Sequence, residues 1–282
     1  MKNHDPIDNS SLEYIELAKI QGTQTKPEKP AAPAEGFKYI GKATPRLDGK
    51  KIVTGAARYI HDLSFEGMLY GKVLRSPHAC ADVISIDLGP ALNYPGVKAA
   101  VRLKEGRVRW AGEQVAAVAA VDEPTAEEAL KLIKVEYKVL PHVVGVDKAM
   151  EKGAPQVLDT GNVQELNKYN RGDIEKGFKE ADIIFERTYQ TVWEVHQPAE
   201  THASIAKWEG ENLTVWDSTQ AINSVRDGLA RALNIPASRV KVIKNYMGGG
   251  FGSKLGTQDF SVAAARLALD AGRPVKIVLS RR

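Results

Sequence analysis

Between Ile222 and Leu233 the segment "INSVRDGLARAL" repeats its apolar residues with a helical period, putting Ile222, Val225, Leu229 and Leu233 on one face. A second helix is predicted over "DFSVAAARLALDAG", which is apolar nearly all round and so reads as buried, closed by Gly272 and Pro274. A third opens at "EPTAEEALKLI", with Pro124 in its first turn behind acidic residues. Between these lie runs with the period and composition of strands: "MLYGKVLRS", "EQVAAVAAV", "KVEYKVLP" stopped by Pro141, "DIIFERTYQTVWEV", "LTVWDST", "VKVIKNY" and "VKIVLS". Helices interleaved with strands over this length predict a mixed α/β chain with sheets covered by helices. We read residues 1–37 as an extended tail, since "TQTKPEKPAAPAEG" cannot build a core, with a short helix within "SLEYIELAKI". Residues 38–150 read as one α/β unit, 151–172 as a linker without clear period, and 173–282 as a second unit. The last strand has no closing element after it in sequence. The helix before it is apolar on more faces than the preceding elements of its own unit obviously cover. Both features predict that the second unit continues in further polypeptide.

The strand "VKVIKNY" runs into "MGGGFGSK", where Gly248, Gly249, Gly250 and Gly252 surround one aromatic, Phe251. Glycine in an ordered element loses backbone entropy, so such a cluster needs a geometric reason, and close approach of the backbone to a ligand is the usual one. Nucleotide loops fit poorly. A P-loop requires Gly-Lys followed by Ser or Thr, and here the order is Gly252-Ser253-Lys254-Leu255. A dinucleotide fingerprint requires G-x-G-x-x-G, and its third glycine falls on Ser253 or Leu255 in either register. A tight turn accounts for the glycines but not for Phe251.

Composition narrows the classes. With 282 residues, 43% of them hydrophobic, the chain can bury a sizeable core. Its net charge of +4 is spread in mixed-sign runs, which argues against nucleic acid. No apolar run reaches a membrane span. "MKNHDPIDNSS" carries neither an apolar core nor twin arginines, so no export signal is expected and the cytoplasm is the expected compartment. Cys80, the single cysteine, excludes an internal disulfide and an iron–sulfur cluster held by this chain alone. His196, Glu200 and His202 contain the residue types of a two-histidine, one-carboxylate metal site. Three such residues within seven positions more often line a strand and loop. Trp193, Trp208 and Trp216 read as core, and His61 and His78 as loop residues without a nucleophile to serve.

"MGGGFGSK" resembles the GGGFG(G/S)K segment of the molybdenum-cofactor-binding subunits of the xanthine dehydrogenase and aldehyde oxidase family. "TPRLDGKKIVTGAARYIHDL", "GMLYGKVLRSPHA", "VRWAGEQVAAVAAVDEPTAEEAL" and "VEYKVLP" resemble that family's hammerhead domain. "EVHQPAETHASIAKWEG" and "LTVWDSTQ" resemble the start of its molybdenum-binding region. The resemblance runs in family order over residues 38–282. It implies an α+β fold: an α/β hammerhead domain, then the first part of a molybdopterin-binding domain. It implies that Gln220 hydrogen-bonds an oxygen ligand of molybdenum. Gly249, Gly250, Phe251 and Gly252 then bring backbone amides to the metal centre and pterin, with Phe251 shielding the centre from water. The chemistry implied is hydroxylation of an aldehyde or aromatic N-heterocycle with water as the oxygen source. The cofactor is molybdopterin in its cytosine dinucleotide form, and a [2Fe–2S] subunit and an FAD subunit carry the electrons away. Purine-oxidising members have a glutamate just after the loop lysine; here Leu255 stands at that substrate position, and a leucine cannot hydrogen-bond a purine. The family's general base lies downstream of the matched region, so no catalytic residue is expected on this chain, and the remaining C-terminal molybdenum-binding part is an expected partner. The competing reading is a cofactor-free assembly or interaction module derived from the same family.

Overall fold

The structure, a computed structural model, describes residues 37–164 and 168–281, so the expected tail and its helix lie, but for Phe37, outside the described residues. The chain divides into two units at Thr54. In the first, the short helix α1 (Gly49–Val53) follows Asp48, which is ion-paired with Arg46.

The second unit holds two sheets. Its strands are β1 (Leu69–Arg75), β2 (Ala81–Asp87), β3 (Val97–Arg102), β4 (Gly106–Val108), β5 (Gln114–Ala120), β6 (Lys134–Val139), β7 (Ala203–Glu209), β8 (Asn212–Asp217), β9 (Val240–Ile243) and β10 (Val275–Val278). Seven form one mixed sheet in the order β3-β5-β1-β10-β7-β8-β9, and three form a small sheet, β4-β2-β6. The helices are α2 (Gly89–Leu92), α3 (Glu123–Leu130), α4 (Val146–Met150), α5 (Ile174–Glu180), α6 (Ile222–Leu233) and α7 (Asp259–Ala271). The fold is mixed α+β, as the sequence predicts.

Local chemistry explains the element ends. The Asp122 carboxylate caps α3 by accepting the Thr125 N–H at 2.8 Å, one turn ahead of the apolar stripe. Helix α7 stops where Gly272 turns left-handed at φ 61°, and α6 where Asn234 does so at 52°. Strand β5 is buried along nearly its whole length because both faces are covered. Ala117 and Ala119 face the large core of α6 and α7, while Ala116, Val118 and Ala120 face the core under α3.

Three expectations change. The last strand, β10, has neighbours on both sides: β1 runs parallel to it, pairing Leu69 with Val275, and β7 antiparallel, pairing Ala206 with Val275. The apolar faces of α7 pack onto strands from both halves of the chain, with Phe260, Ala264 and Leu267 in the same core as Leu69, Val101 and Ala117. Neither element therefore needs further polypeptide to be covered, and the shared sheet crosses the expected division between 38–150 and 173–282. Third, "DIIFERTYQTVWEV" is not a strand. Residues 182–195 have no regular structure and are exposed, with Ile183 at 86% and Trp193 at 91%, so Trp193 is not core. Its alternation suits a sheet, but no described strand pairs with it. Trp208 and Trp216 are partly buried, and the Trp208 Nε1 donates to the Ala265 carbonyl at 2.8 Å.

Candidate functional site

The glycine loop follows β9, and its geometry is set by backbone turns. The Ser253 N–H and hydroxyl both donate to the Gly250 carbonyl, at 2.8 and 2.7 Å, closing a turn with Phe251 and Gly252 at its centre. Both central residues have positive φ, 50° and 92°, and Gly249 before them has 97°. This is the backbone pattern of a primed turn, which an aromatic rarely adopts. Phe251 packs against little and is 70% exposed, so core packing does not account for its strained backbone.

Gln220, just after β8, reaches this loop. Its carboxamide oxygen accepts the N–H groups of Gly252 at 3.0 Å and Lys254 at 3.3 Å, and the Gln220 backbone N–H donates to the Lys254 carbonyl at 2.8 Å. Two donors on Oε1 decide which end of the amide faces the loop, so Nε2 is the end left to donate elsewhere. Among the described residues Nε2 has no acceptor, and neither do the N–H groups of Gly249, Gly250 and Phe251. Gly250 is buried, and a Cβ on it would lie 2.5 Å from the Gln220 oxygen. The structure thus brings Gln220, Gly249, Gly250, Phe251 and Gly252 together, with Leu255 exposed just beyond them.

Beneath the loop lies a polar layer that sequence reasoning missed. Lys254 is buried, with its Nζ 2.9 Å from the Glu200 carbonyl oxygen, 3.3 Å from Glu200 Oε2 and 3.4 Å from the Thr201 carbonyl oxygen. Glu200 Oε2 also accepts the Gly248 N–H at 2.9 Å. Burial works against the Glu200 charge, but the His61 side chain, the Gly248 N–H and Lys254 outweigh it and hold the carboxyl below its ordinary range. His61 lies alongside, its Nε2 3.0 Å from the Thr201 hydroxyl and its Nδ1 3.8 Å from Glu200 Oε1. His202 donates from Nε2 to the Ser253 carbonyl at 3.2 Å, and burial first of all lowers its pKa, favouring the neutral ring. His196, Glu200 and His202 therefore form no metal site; no cluster of three or more potential ligands occurs among the described residues. Asp217, at the end of β8, accepts the Ser261 hydroxyl at 2.6 Å, and burial pushes its carboxyl up to about 6. These pairings join residues from 44 to 140 positions apart, Asp217 with Ser261 and His61 with Thr201 at the extremes, and no local pattern announces them.

Donors without acceptors, a carboxamide presenting its NH2 end and a backbone no Cβ could replace together fit an anionic group such as the oxygen- and sulfur-rich molybdenum cofactor. Comparison with known proteins agrees. The family model for a molybdopterin cofactor-binding domain matches residues 157–282, and that for the aldehyde oxidase and xanthine dehydrogenase a/b hammerhead domain matches 54–105 and 98–141. The chain is 39% identical over 259 residues to a probable xanthine dehydrogenase subunit of Bacillus subtilis, covering 84% of this chain and 34% of that one. It is 33% identical to the nicotinate dehydrogenase large molybdopterin subunit of Eubacterium barkeri, covering 87% of this chain and 62% of the other. Among solved structures, quinoline 2-oxidoreductase from Pseudomonas putida 86 superposes with a TM-score of 0.78 at 30% identity, over 86% of this chain and 34% of that one. The chain spans about a third of the length of most of the curated relatives it matches. It belongs to the xanthine dehydrogenase and aldehyde oxidase family and corresponds to the N-terminal portion of that family's molybdenum-cofactor-binding subunits.

Proposed function

We propose that this chain forms part of the cofactor site of a molybdenum hydroxylase that oxidises an aldehyde or an aromatic N-heterocycle with water as the oxygen source. The observation that carries the reading is the Gln220 carboxamide held by its Oε1 on the Gly252 and Lys254 N–H groups and against Gly250, in the loop that carries the acceptor-free amides of Gly249, Gly250 and Phe251. When bound, the cofactor supplies two-electron oxidation and oxygen transfer from water. Gln220 would donate from Nε2 to an oxygen of the bound cofactor, the loop amides would face its anionic groups, and Phe251 would shield it from water. Leu255 borders the substrate with an apolar side chain, which disfavours a purine. No described residue is assigned as general base; that group belongs to polypeptide beyond the matched region. Domain bounds are proposed at 38–150 for the hammerhead and 173–282 for the first part of the cofactor domain, with 1–37 as tail and 151–172 between them.

The cofactor is proposed to be the cytosine dinucleotide form. With Cys80 as its single cysteine, the chain offers no cluster ligand set, so the [2Fe–2S] centre is proposed on a partner subunit; an FAD subunit is proposed as the second partner. The cytoplasm is the proposed compartment; no helix of the described residues is long and apolar enough to cross a membrane. The test is expression with molybdate and cofactor-synthesis machinery, then purification together with whatever chains remain bound. Near-stoichiometric molybdenum, cytidine monophosphate released by acid, and iron and flavin in the bound chains are expected. A preparation free of molybdenum would overturn the reading and favour the cofactor-free module instead.

A further inference from the structure

Lys254 is only 1% exposed, yet it lies within a loop whose other large side chains, Phe251 and Leu255, are open to solvent. Burying an ammonium group is costly, and an apolar side chain of similar length would fill the space without that penalty. Something other than filling must account for it. Its three N–H donors meet three acceptors: the Glu200 carbonyl, the Glu200 carboxylate and the Thr201 carbonyl. The same corner holds the other end of the loop. Glu200 N–H donates to the Gly248 carbonyl at 3.1 Å, and Glu200 Oε2 accepts the Gly248 N–H at 2.9 Å. A Cβ on Gly248 would lie 2.5 Å from Glu200 Cβ, so the backbone must come this close. The corner at 200–201 therefore clamps residues 248 and 254 together, and the acceptor-free amides lie between those clamped ends. The Lys254 backbone is also where Gln220 is held, by the Gln220 N–H to its carbonyl and by its own N–H to Gln220 Oε1. The Thr219 hydroxyl adds a bond to the same carbonyl at 3.0 Å.

We propose that Lys254 is the positioning residue of the cofactor site. Its buried ammonium joins the 200–201 corner, the Gln220 segment and the glycine loop, and so sets the spacing between Gln220 Nε2 and the loop amides. It touches neither cofactor nor substrate. This rests on the cofactor reading above for its purpose, but not for its geometry.

The test compares wild type, K254M and the neutral double variant K254M/E200Q, each expressed with the cofactor machinery and purified with its bound chains. Molybdenum content, thermal midpoint and hydrogen exchange of the amides of Gly248, Gly252, Ser253 and Lys254 are measured. K254M strands the Glu200 carboxylate in the interior, so stability, molybdenum content and amide protection all fall, protection by roughly tenfold or more for a lost charge-assisted contact. In the double variant no buried charge is left unpaired and the thermal midpoint recovers, but the carbonyls of Glu200 and Thr201 still lack their donor. Molybdenum content and protection therefore stay low. Recovery of both along with the midpoint would show that Lys254 only supports the fold, and retention of both in K254M would do the same. If K254M does not accumulate, the double variant alone carries the comparison. If wild type holds no molybdenum, the cofactor reading fails by itself, and the exchange rates still decide whether Lys254 orders the loop.

Discussion

At Gly250 a hydrogen stands where any other residue would place a carbon 2.5 Å from the Gln220 carboxamide oxygen. Gly250→Ala must push Gln220 off the Gly252 and Lys254 amides. The expected outcome is a loss of about 1–3 kcal/mol in urea unfolding, typical of overpacking, and at least a tenfold fall in molybdenum content, read by elemental analysis. Asp217 is a second residue whose surroundings predict behaviour. Burial raises its carboxyl to about 6 in the fold, against 3.8 for a free one. Between those values the folded state holds a proton that the unfolded state has lost. This group therefore favours folding most at acid pH, and its contribution falls as pH rises through 6, by about 3 kcal/mol in all at 1.4 kcal/mol per unit. Glu200, held low, acts oppositely and loses its contribution as pH falls. Asp217→Asn keeps an acceptor for Ser261 while removing the titration. The difference in unfolding free energy between variant and wild type is expected to grow in the variant's favour from pH 4 to pH 7. A constant difference would mean that Asp217 is ionised throughout.

Among the elements, α6 shows how two helices are locked together. Gly228 sits mid-helix, where glycine is normally unfavourable by about 0.5–1 kcal/mol. A Cβ there would lie 1.9 Å from the Thr257 hydroxyl oxygen and 2.7 Å from Thr257 Cβ. That hydroxyl donates to the Ser224 and Val225 carbonyls at 3.0 and 3.3 Å, tying α6 to the approach of α7. The helix gain from Gly228→Ala is therefore outweighed by the clash. A net loss of about 1–3 kcal/mol is expected, visible in calorimetry as a fall of several degrees; an unchanged midpoint would mean that the Thr257 segment moves aside freely.

Taken as a molecule, the second unit is closed by its least local pairing. Strands β1 and β10 are some two hundred residues apart and lie side by side at the centre of the large sheet. Removal of β10 is thus removal of a central strand. The stretch 181–195 shows the reverse case, with Ile184, Phe185, Tyr189, Val192 and Val195 all exposed. Apolar surface of that extent is normally covered by protein. Since most of the matched relatives are about three times longer, the expected cover is polypeptide that those relatives carry outside the matched region. Residues 1–282 purified alone are expected to bind a hydrophobic dye and self-associate, and to stop doing so when that polypeptide is co-expressed. Light scattering that shows a dye-silent monomer would contradict this.

Elements with a strong period of their own were legible in the sequence: α6 within its stated bounds, α7 with its glycine stop, and strands β1, β5, β6 and β8, because apolar spacing and caps act over a few residues. The glycine loop was legible as a cluster that needs a geometric reason, since close approach of the backbone demands glycine wherever it occurs, whereas Gln220 stood out only through the family resemblance. Strand β7, in "ASIAKWE", has so little alternation that burial by neighbours on both sides, not its own pattern, makes it a strand. Conversely, "DIIFERTYQTVWEV" has the pattern of a strand and no partner, because a strand exists only when another backbone takes its hydrogen bonds. The placement of β10 and the clamp of Lys254 on Glu200 were decided by tertiary structure alone. Sequence records which groups can bond or bury. Which groups meet across fifty or two hundred residues depends on chain packing, since burial and charge pairing depend on distance in space and not along the chain.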